Sequence, residues 1–464
     1  MSEHKHKKLL WAILIGLILG SIIGAVFAFM PEYTKLTKEQ IELIGDTSLI
    51  TEKSSPIFLN ADGEYFEYTF KHYALKAAAP LGTLFINLLK MIVTPVIIFT
   101  LISGVASIEP SRLGKVGVKI IVFYMLTSLM AIIVGLLVGN IMQPGQGIVL
   151  ADTTQEIAAK QAPSLVDTFL AIIPTNPFAA IVKGDVLPII FFSILFGLAL
   201  AFARDSRDEK VRDSAEVVHK FFEGCAQVIF KVVGWVMLYA PIGVFFLIFQ
   251  VFAKQGAEAF GPLLHVTISV YIGLAIQIFV VYMLICAAFK IHPVMFLKKV
   301  YEPWLTAFVT RSSGGTLPVS MDTADRKMGV SKGVYSFTLP LGATINMDGT
   351  TIYLGVCAIF IANAVGMPLD AGQQMTVIIT AVLASIGTAG VPGAGAIMLI
   401  MVMNSVGLDV TQGNVKLAYA MILGIDALLD MGRTSMNIVG DLCGTCVVAK
   451  LENEMDPAFW ASEK

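Results

Sequence analysis

Residues 385–395 read Ser385-Ile-Gly-Thr-Ala-Gly-Val-Pro-Gly-Ala-Gly395 and lie in the middle of Ala371–Leu408, a run without a single charge. At 1.5 Å per residue that run would extend about 57 Å as a straight helix, nearly twice the hydrocarbon core of a bilayer. Four glycines and a proline within eleven residues cannot continue a helix. The pattern predicts a re-entrant hairpin: helix in, broken tip, helix out. Irregular backbone at that depth is tolerated only where protein or a water-filled cavity surrounds it. A shorter candidate follows the basic pair Lys298-Lys299. There Trp304–Val309 runs into Arg311-Ser-Ser-Gly-Gly-Thr-Leu-Pro318, again a Ser/Gly tip, closed by a proline. One hairpin entering from each side is the signature of an inverted repeat, with the binding site where the tips meet.

The surroundings are those of a membrane protein. Of 464 residues, 56% are hydrophobic and 14% charged, with a formal net charge of −2; mean hydropathy is +0.78. A soluble domain carries about 25% charged residues, so a water-soluble globule is excluded. The near-neutral balance excludes a nucleic-acid partner, which needs a basic face. Further charge-free runs are Leu9–Met30, Met91–Ile108, Ile120–Ala151, Val186–Ala203, Val232–Ala253, Ala259–Phe289 and Gly349–Leu369. Lys5, Lys7 and Lys8, then Arg112, Lys115 and Lys119, then Arg204, Arg207, Lys210 and Arg212, then Lys290, Lys298 and Lys299 fall on one side if the spans alternate. The basic side is cytoplasmic, which puts both termini inside and the polar segment 31–73 outside. The five cysteines are scattered, and the lone Cys443-x-x-Cys446 reads as helix packing.

Ionisable residues inside membrane segments are rare and mark function. Asp430, Arg433, Thr434, Asn437 and Asp441 stand at offsets 0, 3, 4, 7 and 11, a single face of a helix. Upstream, Asn346 and Asp348 lie in an apolar stretch between Gly342 and Gly349, which weaken the helix and free carbonyls suited to a small hard cation. Asp348, Asp430 and Asp441 against Arg311 and Arg433 give a site near −1. Arg433 is a fork matched to a carboxylate, Asp430 can accept an ammonium, and the tips offer backbone N–H groups to a second carboxylate. An acidic amino acid meets all three features. With it bound the site stands near −2, which asks for at least two co-bound cations. Taken alone, Tyr124, Thr127 and Ser128 in the third span mean little, since Thr and Ser commonly bond back to their own helix.

Arg311-Ser-Ser-Gly-Gly-Thr-Leu-Pro, Asn346-Met-Asp-Gly-Thr, Gly387-Thr-Ala-Gly-Val-Pro-Gly-Ala-Gly395 and Asp430-Met-Gly-Arg-Thr-Ser-Met-Asn437, in this order, resemble the glutamate transporter family, the dicarboxylate/amino acid:cation symporters. The likeness runs from about Lys76 to Lys450 and looks closest to the archaeal sodium-coupled aspartate transporters, although the loop before Tyr73 is longer than expected for them. The resemblance implies an all-α membrane protein of eight transmembrane helices and two re-entrant hairpins, an inverted-repeat homotrimer in the cell membrane working by an elevator motion.

The expected layout is a cytoplasmic N-terminus (1–8), spans one and two (9–108), span three (115–151), spans four and five (163–253) and span six (259–289). There follow the inner hairpin (293–330), span seven (332–369), the outer hairpin as gate (371–408), span eight (412–450) and a cytoplasmic tail (451–464). Spans one, two, four and five would form the trimer scaffold, and the rest the moving transport domain.

For the substrate, the resemblance implies that Arg433 holds the side-chain carboxylate and Asp430 the amino group. Ser313, Thr434 and Asn437 would take the main-chain end, with Ser312, Thr350, Val391 and Gly395 lining the site and Arg311 supporting Arg433. It implies three sodium sites: Gly342, Asn346 and Asn437 carbonyls with Asp441; the Thr344 carbonyl, the Met347 sulfur and carbonyls of Ser385, Ile386 and Thr388; and Asp348 and Asn346 with Tyr124, Thr127 and Ser128. Mammalian members carry a glutamate shortly after NMDGT that is tied to proton and potassium coupling. Leu354 stands there, which implies about three sodium ions per aspartate or glutamate and no potassium counter-transport. No cofactor is expected beyond these coupling ions. The competing readings are a proton-coupled glutamate, aspartate or C4-dicarboxylate symporter of the same family, a channel lined by the charged face, and a membrane enzyme, against which stands the lack of any histidine beside a nucleophile motif.

Overall fold

The computed structural model describes residues 3–44, 56–59, 64–106, 115–148, 150, 173–183, 185–385 and 393–461. Most of them are helical, and five stretches among them are long and apolar enough to cross a membrane: Trp11–Ala28, Phe70–Ala106, Val116–Met142, Glu209–Ala288 and Lys332–Ala364. Two helices are longer than their apolar runs. Phe70–Ala106 continues upstream of Met91 through Pro80, and Glu209–Gln255 begins far ahead of Val232. Their additional turns carry charges and so escape a search for charge-free segments.

The helices pack in two groups. Glu3–Ala28, Phe70–Ala106 and Val186–Arg204 gather on Glu209–Gln255, while Lys115–Met142, Phe260–Ile276 and Pro293–Thr310 gather on Asp348–Ala364 and the last long helix, Gly413–Glu452. The outer faces of the first group remain apolar in the single chain, with Trp11, Trp235 and Val228 all more than 60% exposed. Such faces suit lipid or a further copy, since water would not tolerate them. The second half of the seventh span, Asp348–Ala364, is instead almost entirely buried.

Gly16, Gly20 and Gly24, four residues apart, explain how the first helix lies along Glu209–Gln255. A Cβ at these positions would stand 2.6 Å from the Pro241 carbonyl, 2.7 Å from that of Phe245 and 2.7 Å from that of Phe249. Without side chains there, the two backbones touch, as small-residue stripes allow between membrane helices.

A helix pair stands at each of the two positions where a hairpin was expected. Pro293–Thr310 and Ser313–Asp322 flank a break at Arg311 and Ser312. The tip is shorter than the Ser/Gly run suggests: Gly314, Gly315 and Pro318 already belong to the second helix, so the proline does not close it. Ala371–Ser385 and Ala394–Ser405 form the second hairpin. Its tip, with Ile386, Thr388 and Val391, lies outside the described residues. The seventh span breaks between its two glycines, leaving Asn346 and Met347 between Lys332–Ile345 and Asp348–Ala364.

An all-α chain was expected, and the segment before Phe70 departs from it. Tyr33–Lys35, Ile57–Leu59 and Tyr65–Tyr68 form a small antiparallel sheet with Tyr65–Tyr68 in the middle. The alternation is too short to stand out against the polar segment, and aromatic stacking such as Phe58 on Tyr68, centroids 4.6 Å apart, supplies the packing. At the opposite end Lys119 pairs with Glu452 at 2.5 Å, and Lys299 donates to the Phe459 carbonyl at 2.9 Å. Two of the basic loops therefore share one end with the C-terminal segment.

Gly20→Ala and Gly24→Ala should each lower the thermal midpoint of the purified protein, by about 1–3 kcal/mol of overpacking, because a backbone carbonyl cannot move aside. Gly224→Ala, with nothing within 4 Å of the added carbon, should leave it level or raise it. Equal effects at the three positions would remove the close-packing account.

Candidate functional site

The last helix, Gly413–Glu452, is unbroken, and its polar stripe turns inward: Asp430, Arg433, Thr434, Asn437 and Asp441 are all buried. The stripe is longer than expected. Asp426, four residues before Asp430 and on the same face, is buried as well. The i, i+4 spacing was available in the sequence, but Asp426 sits at the edge of an apolar run and was missed.

Arg433 is fixed from several directions. Its Nε donates to Asp430 Oδ1 at 3.0 Å and its Nη1 to Asp426 Oδ1 at 2.8 Å. The Tyr353 ring lies under the guanidinium, 4.5 Å from Cζ, a cation–π contact. Gly395, on the second hairpin, faces the guanidinium, and a Cβ there would run into it. Thr434 donates to Asp430 Oδ1 at 3.0 Å. Arg311, at the first tip, is 3% exposed with its Nη1 3.8 Å from Asp430 Oδ2; it points into the bundle and is not a surface anchor. Its left-handed backbone, φ 53°, is uncommon for a side chain of this size and ends the helix with its N–H on Ala307.

Three buried polar atoms on these elements have no hydrogen-bond partner among the described residues: Arg433 Nη2, Asp430 Oδ2 and Ser313 Oγ. An unpaired buried polar group costs about 1–3 kcal/mol, so a donor, a carboxylate oxygen and a hydroxyl left open on these elements suit a ligand carrying both an acid and an amine. Ser312 is spent differently, since its hydroxyl caps the N–H of Gly315 at 3.1 Å.

The break in the seventh span meets the stripe a turn further on. Asn437 Oδ1 accepts the Gly349 N–H at 2.7 Å, and its Nδ2 donates to Met347 Sδ at 3.1 Å and Thr350 Oγ1 at 3.5 Å. Asn346 Nδ2 donates to Asp441 Oδ1 at 2.9 Å and to the Asn437 carbonyl at 3.3 Å. A Cβ on Gly342 would stand 2.5 Å from Asp441 Oδ1, so only glycine admits that carboxylate. Gly342, Asn346, Asn437 and Asp441 therefore lie together.

Asp348 is fully buried, and Ser128 and Tyr282 hydroxyls each donate to one of its oxygens at 2.7 Å. Thr127 lies 3.4 Å from Asn346 Oδ1. Tyr124 takes another direction, donating to the Thr338 carbonyl at 3.0 Å, because its ring enters beside Gly342. Of the second expected set only Met347 is tied to another named residue. Thr344 and Ser385 turn their hydroxyls to Leu341 and Val382 on their own helices, and Ile386 and Thr388 fall outside the described residues. Neither Asp348 nor Asp441 forms an ion pair among the described residues, though Asp426 and Asp430 share Arg433. Two carboxylates in a water-poor interior with neutral donors alone are incomplete as charges. Cys443 and Cys446 are free and buried, Cys443 touching Cys286 at 3.9 Å and Cys446 touching Met328 at 3.4 Å.

Residues 9–451 match the profile of the sodium:dicarboxylate symporter family. The chain is 34% identical over 458 residues to a proton/sodium-glutamate symport protein of Geobacillus stearothermophilus, covering 96% of this chain and 95% of that one. It is 35% identical over 390 residues to a C4-dicarboxylate transport protein of Bacillus subtilis, 82% and 89% of the two chains. It is 33% identical over 389 residues to a proton/glutamate-aspartate symporter of Escherichia coli, 82% and 86%.

Asp426→Ala should cost the protein without substrate about 3 kcal/mol, since removing one partner strands a buried charge. Asp322→Ala, whose pair with Arg326 is exposed, should change the thermal midpoint little. Similar midpoints for the two variants would show that Asp426 does not hold Arg433.

Proposed function

The chain belongs to the sodium:dicarboxylate symporter family, one of transporters and not of enzymes, and on that basis we propose that it is a sodium-coupled symporter of acidic amino acids, L-aspartate first and L-glutamate beside it. The observation that carries this reading is the open trio of Arg433 Nη2, Asp430 Oδ2 and Ser313 Oγ. Arg433 takes the side-chain carboxylate. Asp430 takes the ammonium. Ser313, Thr434 and the tips take the main-chain carboxylate, with Thr350, Gly395 and Val391 around the ligand and Arg311 holding Asp430 in place. A C4-dicarboxylate has no ammonium and would set its second carboxylate against Asp430, which favours the amino acid.

Coupling follows from charge. Asp348, Asp426, Asp430 and Asp441 give −4, Arg311 and Arg433 give +2, and the sum is −2, one unit beyond the count made without Asp426. A substrate of −1 brings it to −3, which three sodium ions neutralise. Asp348 and Asp441 anchor two of them. Hydroxyls donate to both oxygens of Asp348, which orients the carboxylate as an oxygen ligand for a hard cation. Each cycle then moves two positive charges, each worth about 2.3 kcal/mol per 100 mV. Leu354, buried among apolar neighbours, carries no proton, which fits transport without potassium exchange. The gathering of the helices into two groups, which meet where Gly413–Glu452 lies against Glu209–Gln255, supports an elevator motion of the second along the first, and the apolar faces of the first support a homotrimer. The basic loops support a cytoplasmic position for both termini.

The alternative is a proton-coupled symporter of glutamate, aspartate or C4-dicarboxylates, and the names of the relatives from Escherichia coli and Bacillus subtilis favour it. Proteoliposomes separate the two. Radiolabelled L-aspartate should enter under an inward sodium gradient, indifferent to internal potassium and displaced by glutamate before succinate. Uptake driven by a proton gradient alone would decide for the alternative. Arg433→Cys should lower aspartate uptake by at least about a hundredfold, the loss of a buried charged pair; unchanged uptake would defeat the side-chain assignment.

A further inference from the structure

The helix Phe260–Ile276 does not run straight into Met283–Ala288. Between them Gln277–Tyr282 forms a π-helical turn. On an α-helix, residues five apart diverge by about 140°. A π turn closes on i to i+5 bonds and brings them onto one face, a distortion frequent at functional sites. Here the two ends of that turn, Gln277 and Tyr282, both reach the surroundings of Asp348. Tyr282 donates to Asp348 Oδ2 at 2.7 Å. Gln277 Nε2 points to the Thr127 carbonyl at 3.5 Å. In that direction the amide turns its NH2 end to the carbonyl. It leaves Gln277 Oε1 without a partner among the described residues, on a side chain that is 0% exposed.

An amide oxygen without a donor, held beside Thr127, Ser128 and Asp348, is a neutral oxygen ligand of the kind that hard cations take. We propose that Gln277 is a further ligand of the cation at Asp348, and that Tyr282 is a positioning residue that holds the carboxylate toward it. This rests on the sodium-coupled reading above. The π turn is then a built part of the site: relaxing it to an α-helix would swing one of the two side chains away. A further helix element, besides the third and seventh spans, is thereby joined to the ion.

The test is sodium-dependent thermal stabilisation of the purified full chain without amino acid, titrated with sodium chloride against choline chloride. Binding to the folded state raises the midpoint with concentration. Gln277→Leu should move the titration to at least about tenfold higher sodium, the effect of one lost ligand, with the midpoint in choline level or higher. Gln277→Glu, equal in size and keeping an oxygen, should hold the titration within about threefold of the parent. Should the leucine variant fail to fold, Gln277→Asn, which draws the oxygen back by one methylene, takes its place with the same expectation. An unshifted leucine or asparagine titration overturns the proposal, and so does a glutamate variant shifted as far as the leucine one, which would assign Gln277 to packing. A parent protein that sodium does not stabilise at all would overturn the sodium reading itself, a result distinct from either.

Discussion

Removing a guanidinium from water without compensation costs many kcal/mol, and Arg433 is 1% exposed. Two carboxylates, one aromatic face and one glycine answer that cost together. Asp426 and Asp430 flank it on its own helix, Tyr353 comes from the seventh span, and Gly395 from the second hairpin makes room. Each partner comes with a constraint. The two aspartates must share a helical face with Arg433, so the last helix cannot break there. Tyr353 requires the second half of the seventh span to lie alongside. Gly395 requires the hairpin to approach end-on. The arrangement of three elements is thus set by the demands of a single side chain.

The same economy governs where the chain is irregular. Breaks at Asn346 and Met347, at Arg311 and Ser312, and in the π turn Gln277–Tyr282 all fall within reach of the polar stripe. Backbone groups freed in a membrane must find partners in protein or ligand, and Asn437 serves that purpose by accepting the Gly349 N–H. Elsewhere the helices run long and close-packed, as along Gly16, Gly20 and Gly24.

Much of this was legible in the residues. Glycine and proline inside charge-free runs marked where helices would break, and the offsets marked the buried stripe on one helix. What escaped has physical reasons. Asp426 hides at the end of an apolar run. The extra turns ahead of Met91 and Val232 carry charges that a search for apolar length discards. The sheet at Tyr33–Lys35 rests on three-residue strands, too short for an alternation to register. Gln277 and Tyr282 are five apart, a spacing that no α-helical template groups together. Tyr124, placed by likeness alone, donates its hydroxyl to the Thr338 carbonyl.

Asn437 and Asn346 lie where the two halves of the site touch. One amide holds Gly349 and Met347, and the other holds Asp441 and the carbonyl of its fellow asparagine. A ligand on either side therefore meets the same pair of side chains, with no lever or relay between. Linkage makes such an arrangement reciprocal. On the function proposed above, whatever factor an ion adds to the affinity for the organic ligand that ligand must return to the ion, and two asparagines with no charge of their own stand where that coupling passes.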